Sequence, residues 1–214
     1  MDKGIIYANN VTISGVIVHK YVTDKATTLT ISTGRATKIP NYPKVVFFNE
    51  LAKKADEEFE LYDNVTILGN IQSSRRINEN NIYYTQSIFG ESIEKTPKAM
   101  EVLFGLDNSG EHHIPPKNLI NIAGVITNIA TPSKDLIRLN IRTVKKGRTS
   151  SIRAFYFTRD VGEVMAKFRV GDNICAIGNI QTNKKEKDGK MSYYENVVLR
   201  ELEKVGELPK ALSE

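Results

Sequence analysis

Cations and aromatic rings recur side by side at four places in this 214-residue chain. Two are short apolar runs, Lys44-Val45-Val46-Phe47-Phe48 and Arg153-Ala154-Phe155-Tyr156-Phe157. The other two are polar stretches. In one, Arg75 and Arg76 lead to Tyr83 and Tyr84; in the other, Lys184, Lys185, Lys187 and Lys190 lead to Tyr193 and Tyr194. A cation can hold a phosphate, and a flat ring can hold a base at about 1–3 kcal/mol per stack. Alternate side chains of a strand share a face, so Lys44, Val46 and Phe48 form one set, and Arg153, Phe155 and Phe157 form another. Cation and ring on one face suit phosphate and base together.

The elements that must carry these residues are written twice. Asp63-Asn64-Val65-Thr66-Ile67-Leu68-Gly69-Asn70-Ile71-Gln72 returns 109 positions later as Asp172-Asn173-Ile174-Cys175-Ala176-Ile177-Gly178-Asn179-Ile180-Gln181. The same offset carries Ile13-Ser14-Gly15-Val16-Ile17 onto Ile122-Ala123-Gly124-Val125-Ile126, and Lys44–Phe48 onto Arg153–Phe157. One offset held across three segments identifies a duplicated unit, with a first domain over 1–95, a linker over 96–117, a second domain over 118–205 and a polar tail over 206–214. The linker holds Pro97, Gly105, Gly110, Pro115 and Pro116, and its apolar stretch Ala99–Leu106 suits a short extra element.

Each unit reads as mostly strand. In the first, strands are expected over Val11–Val18, Thr28–Ser32, Lys44–Phe48, Leu61–Ile71 and Ile82–Glu94, with a bend or bulge at Gly15 and a hairpin loop over Gln72–Asn81. Asn49 is placed to cap a helix that buries Leu51, Ala52, Ala55 and Phe59. In the second, strands are expected over Ile120–Asn128, Leu136–Val144, Ile152–Phe157, Asn173–Gln181 and Tyr193–Leu202. Its helix, near Asp160–Phe168, turns Val161, Val164, Met165 and Phe168 inward. Five strands with one helix between the third and fourth is the order of the OB-fold barrel, so the fold class is all-β, two tandem OB barrels.

Charge separates the two units. The net formal charge is +5 overall. Between Asn10 and Lys95, ten Lys/Arg face ten Asp/Glu; between Asn118 and Val205, sixteen face nine. Attraction for a polyanion therefore sits in the second unit. The loop between its second and third strands contributes Arg142, Lys145, Lys146 and Arg148, against Arg35 and Lys38 in the first.

Other chemistries find little support. The single cysteine, Cys175, excludes a disulfide framework or a multi-cysteine zinc site, and within an apolar run it reads as a small hydrophobe. His19, His112 and His113 form no ligand set, and no phosphate-binding Gly-x-x-x-x-Gly-Lys-[Ser/Thr] loop occurs. Asp56, Glu57, Glu58 and Glu60 read as a solvated helix face. No cofactor, metal, small-molecule substrate or catalysis is expected, and no signal peptide or membrane span is legible, so the expected location is the cytoplasm.

The run from Tyr42 through Ala52, continued by Tyr62–Gln72, resembles bacterial single-stranded DNA-binding proteins (SSBs). That family has an aromatic before a basic-valine-valine-hydrophobic-phenylalanine strand, then a leucine-alanine helix. A Gly-Asp-like turn, an apolar strand and a Gly-x-[Leu/Ile]-x step then lead into a basic loop. Asn10–Gly15 is similar to its first strand. The resemblance covers most of 10–95 and, more weakly, 118–205. It implies that Tyr42 and Phe48 stack on bases, that Phe157 is the counterpart of Phe48, and that Phe47 and Tyr156 face the core. It also implies that four OB domains assemble, which two copies of this chain would supply as a homodimer. The chain departs from the family in having no Trp, in placing Arg76 near one Trp position, and in carrying Ser151 where the first unit has Tyr42. The tail also lacks the family's acidic tip ending in proline and phenylalanine. These departures imply a divergent SSB of the kind carried by phages, plasmids or other mobile elements.

Three functions fit these residues. The first is sequence-tolerant binding and protection of single-stranded DNA in replication, recombination or transfer. The second is an interaction or oligomerisation subunit of a replication or conjugation complex, with the neutral first unit as its docking surface. The third is RNA binding, which the same surface chemistry permits.

Overall fold

The computed structural model describes residues 5–33, 41–78, 81–96, 117–187 and 190–205. Each repeat contributes five strands. The first holds β1 (Ala8–Val22), β2 (Ala26–Ser32), β3 (Lys44–Phe48), α1 (Asn49–Glu57), β4 (Asn64–Asn78) and β5 (Asn81–Lys95). The second holds β6 (Asn118–Ser133), β7 (Leu136–Lys145), β8 (Arg148–Phe157), α2 (Val161–Lys167), β9 (Asn173–Lys187) and β10 (Lys190–Lys204). In each, strand 1 pairs with strands 2 and 4, strand 2 with 3, strand 3 in parallel with 5, and 5 with 4. Both are thus closed five-stranded OB barrels.

Closure depends on strand 1 changing partners. β1 pairs with β4 as far as Val16 and with β2 from Val16 onward. At the bend, a Cβ on Gly15 would collide with the carbonyl of Ser32; at the equivalent Gly124 it would collide with that of Arg142. Glycine is required at both for close backbone approach. The register slip itself lies a little further on, between Ile17 and His19.

Period-2 alternation fills the barrels. Leu29, Ile31, Val45, Phe47, Ile67 and Ile71 are buried in the first, and Ile137, Leu139, Ile141, Ile152, Ala154 and Ile180 in the second. The best-preserved repeat segment has a structural cause. Asp63 accepts the Glu60 N–H at 2.9 Å and pairs with Lys95 at 3.0 Å. Asp172 repeats both contacts, with Arg169 N–H at 2.9 Å and Lys204 at 2.7 Å. Each aspartate closes the turn into strand 4 and ties it to the end of strand 5.

Several expectations are corrected. The polar stretch Gln72–Asn81 is not a loop: the ladder runs unbroken from Gln72↔Ser87 to Asn78↔Asn81. The second hairpin likewise extends to Lys187↔Lys190. These arms project beyond the barrels, where no core imposes apolar alternation, so the strand signal fades while the hydrogen bonds continue. Asn49 does not cap α1; it lies within the helix at φ 53 and no side-chain cap is made. Met165 faces outward, and α2 contributes only partly buried Val161 and Val164, whereas Phe168 beyond its end is buried. Cys175 is exposed, on the outward side of β9, rather than a core residue. The linker over 97–116, the loop with Arg35 and Lys38, the His112–His113 pair and the tail lie outside the described residues.

The two barrels form one assembly. β1 pairs antiparallel with β6, and Val11 lies opposite Ile120, its own equivalent in the repeat. Equivalent residues can face each other in an antiparallel ladder only across a local two-fold axis. The link makes a continuous sheet through both barrels. Beside it, Asn9 grips the Ile71 backbone with two hydrogen bonds of 2.7 and 2.9 Å, and Asn118 grips Ile180 with bonds of 2.7 and 2.8 Å.

Candidate nucleic-acid interface

The pseudo-two-fold turns the strand 2–3 faces of the two barrels toward each other. Between them lies a groove of about 1200 Å³. Thr28 and Thr30 of β2, Lys44 and Val46 of β3, and Tyr84–Ser87 of β5 line one wall; Asn140 of β7, Ser151, Arg153 and Phe155 of β8, and Tyr193–Asn196 of β10 line the other. Tyr42 stands at the entry to β3 on the same groove.

Four of the contacts that close it are related in pairs by the 109-residue repeat. Thr182 Oγ1 accepts the Tyr42 N–H at 3.0 Å, and Ser73 Oγ accepts the Ser151 N–H at 2.9 Å. Glu195 Oε1 accepts the Lys44 N–H at 2.6 Å, and Gln86 Oε1 accepts the Arg153 N–H at 3.0 Å. Gln86 goes further, its Nε2 donating to the Arg153 carbonyl at 3.1 Å. Burial, opposed by the Lys44 N–H and the Lys44 charge, raises the Glu195 carboxyl to a pKa of about 7. Because the residues' backbones make these contacts, the Lys44 and Arg153 side chains stay exposed at the groove.

The adjacent aromatics divide between core and surface. Phe47 is fully buried, while Phe48 is 40% exposed; Tyr156 packs on the core, while Phe157 is 59% exposed. Phe48 is already stacked on Phe89, with centroids 5.2 Å apart and planes 24° from parallel. Arg148 of the second barrel lies 5.9 Å over the other ring of that pair, Phe89. At the position equivalent to Phe89 the second barrel has Val198, so Phe157 has no such partner ring among the described residues.

The β7–β8 turn is a two-residue hairpin with Lys146 at φ 51 and Gly147 at φ 77, the left-handed pair of a type I′ turn. It points Lys145 and Lys146 across to the first barrel, where Glu91 holds them at 2.6 and 3.2 Å; Lys145 also reaches Asn10 Oδ1 at 3.0 Å. Partial burial pushes the Glu91 carboxyl up, but the hydrogen bonds and charges of these lysines outweigh it and hold its pKa below the ordinary value.

Of the residues singled out in the sequence, Tyr42, Lys44, Tyr84, Arg153, Phe155, Tyr193 and Tyr194 meet in the groove. Phe48 and Phe157 lie at the strand ends outside its lining, and Arg142 is exposed on β7. In the projecting arms the backbone register sets Arg75 opposite Tyr84, Arg76 opposite Tyr83, Lys184 opposite Tyr193, Lys185 opposite Ser192 and Lys187 opposite Lys190. The side chains of Arg75, Arg76, Tyr83, Lys184, Lys185, Lys187 and Lys190 lie outside the described residues. Gln86, Glu195, Ser73, Thr182, Glu91 and Phe89 were missed because none is a cation or an expected ring. The repeat offset that pairs Gln86 with Glu195 and Ser73 with Thr182 was the available signal.

Ten strands in two barrels joined through strand 1 have a counterpart among solved structures. The wild-type single-stranded DNA-binding protein from Thermus aquaticus superposes with a TM-score of 0.66 at 16% identity, covering 95% of each chain. A deletion mutant of that protein gives 0.65 at 15%, covering 98% of each. The fold is that of a tandem-OB single-stranded DNA-binding protein. At this identity the likeness is one of fold; no family model and no curated protein matches the chain. The tandem-OB fold here brings the strand 2–3 surfaces of both barrels to a shared groove.

Proposed function

We propose that this chain binds and protects single-stranded DNA without sequence selection, in replication, recombination or transfer. The observation that carries this reading is the groove: Lys44, Arg153, Tyr42, Tyr84, Phe155, Tyr193 and Tyr194 converge on it from both repeats. Cations there take phosphates, and rings take bases whatever their identity. The Thermus aquaticus protein that shares the fold is a single-stranded DNA-binding protein, which supports the same assignment. The arms carrying Arg75, Arg76 and Lys184–Lys190 would close over the strand, with Phe157 a further stacking platform and Arg142 a phosphate contact. The second unit, 118–205, with its excess of cations, supplies most of the attraction and the neutral first unit, 1–95, less. Labelled oligo-dT should bind with affinity that falls with salt by a log–log slope near −0.7 per phosphate neutralised. Binding of duplex DNA as tightly as oligo-dT, or a salt-independent affinity, would overturn the reading.

The active species is proposed to be a cytoplasmic homodimer. Leu68, Leu119 and Ile177 are exposed on the outer side of β4, β6 and β9, around the pseudo-two-fold. A second copy would cover that apolar face and bring the OB domains to four. Light scattering should give twice the chain mass, and a monomeric mass would refute it. No helix among the described residues is long and apolar enough to cross a membrane.

A further inference from the structure

One of the four repeat-related bonds across the groove differs from its mate in a single side-chain atom. Gln86 satisfies both backbone groups of Arg153, accepting the N–H and donating to the carbonyl. Its equivalent, Glu195, accepts the Lys44 N–H at 2.6 Å. In a strand the N–H and C=O of one residue point the same way, so a group that takes one faces the other. A carboxamide answers both. A carboxylate answers only the N–H, and in the pose of Gln86 its second oxygen, in the place of Nε2, would meet a carbonyl. A carboxylic acid restores the donor.

We propose that Glu195 is a proton-operated clasp between the two barrels. Protonated, it holds the β3 edge against β10 through the double hydrogen bond that Gln86 makes at all pH values. Ionised, it gives up half of that contact and places a negative charge in the groove. The second consequence rests on the reading of the groove as a phosphate-binding site; the first does not. Burial raises the Glu195 pKa to about 7, which puts the change in the neutral range. Glu195 is the one carboxylate among the described residues that line the groove. The other titratable or charged groups facing that space, among the described side chains, are Lys44 on β3 and Tyr42 before it, Tyr84 on β5, Arg153 on β8, and Tyr193 and Tyr194 on β10. Among the described side chains, β2, β4, β7 and β9 contribute Thr28, Thr30, Ser73, Asn140 and Thr182. A pKa raised on folding means that the folded chain binds a proton the unfolded one has lost. The contribution to stability is therefore complete below about 4.5 and disappears as pH rises through about 7.

The test compares the full-length chain with Glu195→Gln and Gln86→Glu. Difference infrared spectra should show a protonated carboxyl at pH 6 that fades by pH 8 and is missing from Glu195→Gln. The wild-type Tm should fall between pH 5.5 and 8.5. Glu195→Gln should flatten the curve, and Gln86→Glu, which creates a second clasp, should steepen it. In oligo-dT titrations, the magnitude of the wild-type salt slope should drop by about 0.7 from pH 6 to pH 8, one phosphate's worth, and that of Glu195→Gln should not. No protonated carboxyl at pH 6, or identical Tm profiles for wild type and Glu195→Gln, would overturn the clasp. Failure of all three proteins to bind oligo-dT would instead refute the groove's assignment and leave the spectra and Tm to decide the clasp.

Discussion

Lys145 and Lys146 belong to the basic set that marks the second repeat, yet Glu91 holds both across the barrel boundary at 2.6 and 3.2 Å. Glu91→Gln removes that competitor. If both ammonium groups then engage phosphates, the log–log salt slope steepens by up to about 1.4, twice the single-strand value of about 0.7 per phosphate. Over a fourfold change in salt, from about 50 to about 200 mM, that difference corresponds to a roughly sevenfold change in the affinity ratio of variant to wild type. The variant should bind oligo-dT more tightly at the lower salt and lose its advantage at the higher. The side chains of Lys145 and Glu91 retain 23% and 26% of their exposure, so losing the pairs should cost only about 1 kcal/mol of stability. Fluorescence anisotropy at four salt concentrations, with a thermal melt on the same sample, measures both. Replacing Lys145 and Lys146 by alanine should change the slope little in the wild type and more in the Glu91→Gln background, a coupling that a double-mutant cycle reports. An unchanged slope in Glu91→Gln, with its Tm within a few degrees of wild type, would refute the competition.

Three further outcomes are expected. Phe157→Ala should weaken oligo-dT binding by about 1–3 kcal/mol, and Phe48→Ala by less, because Phe89 already occupies one face of Phe48; equal losses in anisotropy titrations would contradict this. Asn9→Ala orphans the buried Ile71 N–H and carbonyl, at roughly 1–3 kcal/mol per group, so the Tm should fall by several degrees while the far-ultraviolet circular dichroism at low temperature stays unchanged. For Asp172 the Lys204 contact leads in lowering the carboxyl pKa. For Asp63, burial acts upward and the Glu60 N–H and Lys95 overcome it. Their stabilisation is therefore present above 3.8, the ordinary value for an aspartate, and lost as pH falls below it. The double variant Asp63→Asn/Asp172→Asn should show less acid destabilisation in pH-dependent melts.

The barrels were legible because their cores impose alternation. Val45 and Phe47, or Ile137, Leu139 and Ile141, announce strands by burying every second residue. Where the core ends, that signal ends: the arm from Gln72 to Asn78 keeps its ladder while its residues, Ile77 apart, are polar, and it reads as a loop. Met165 and Cys175 were misjudged for a related reason, since an apolar residue in an apolar context says nothing about which side of its element meets solvent.

The sequence by itself determined the duplication, the barrel type, the side of strand 3 that carries Lys44 and Arg153, and the excess of cations in the second repeat. These depend on spacing and residue type along one chain. How the two barrels face each other was decided only in three dimensions, because β1 pairs with β6 through Val11 and Ile120, residues far apart in the chain. That pairing sets Gln86 and Glu195 against backbone of the opposite barrel, delivers Lys145 and Lys146 to Glu91, and turns two separate faces into one groove. Composition counts charges; only the fold shows which of them are already spoken for.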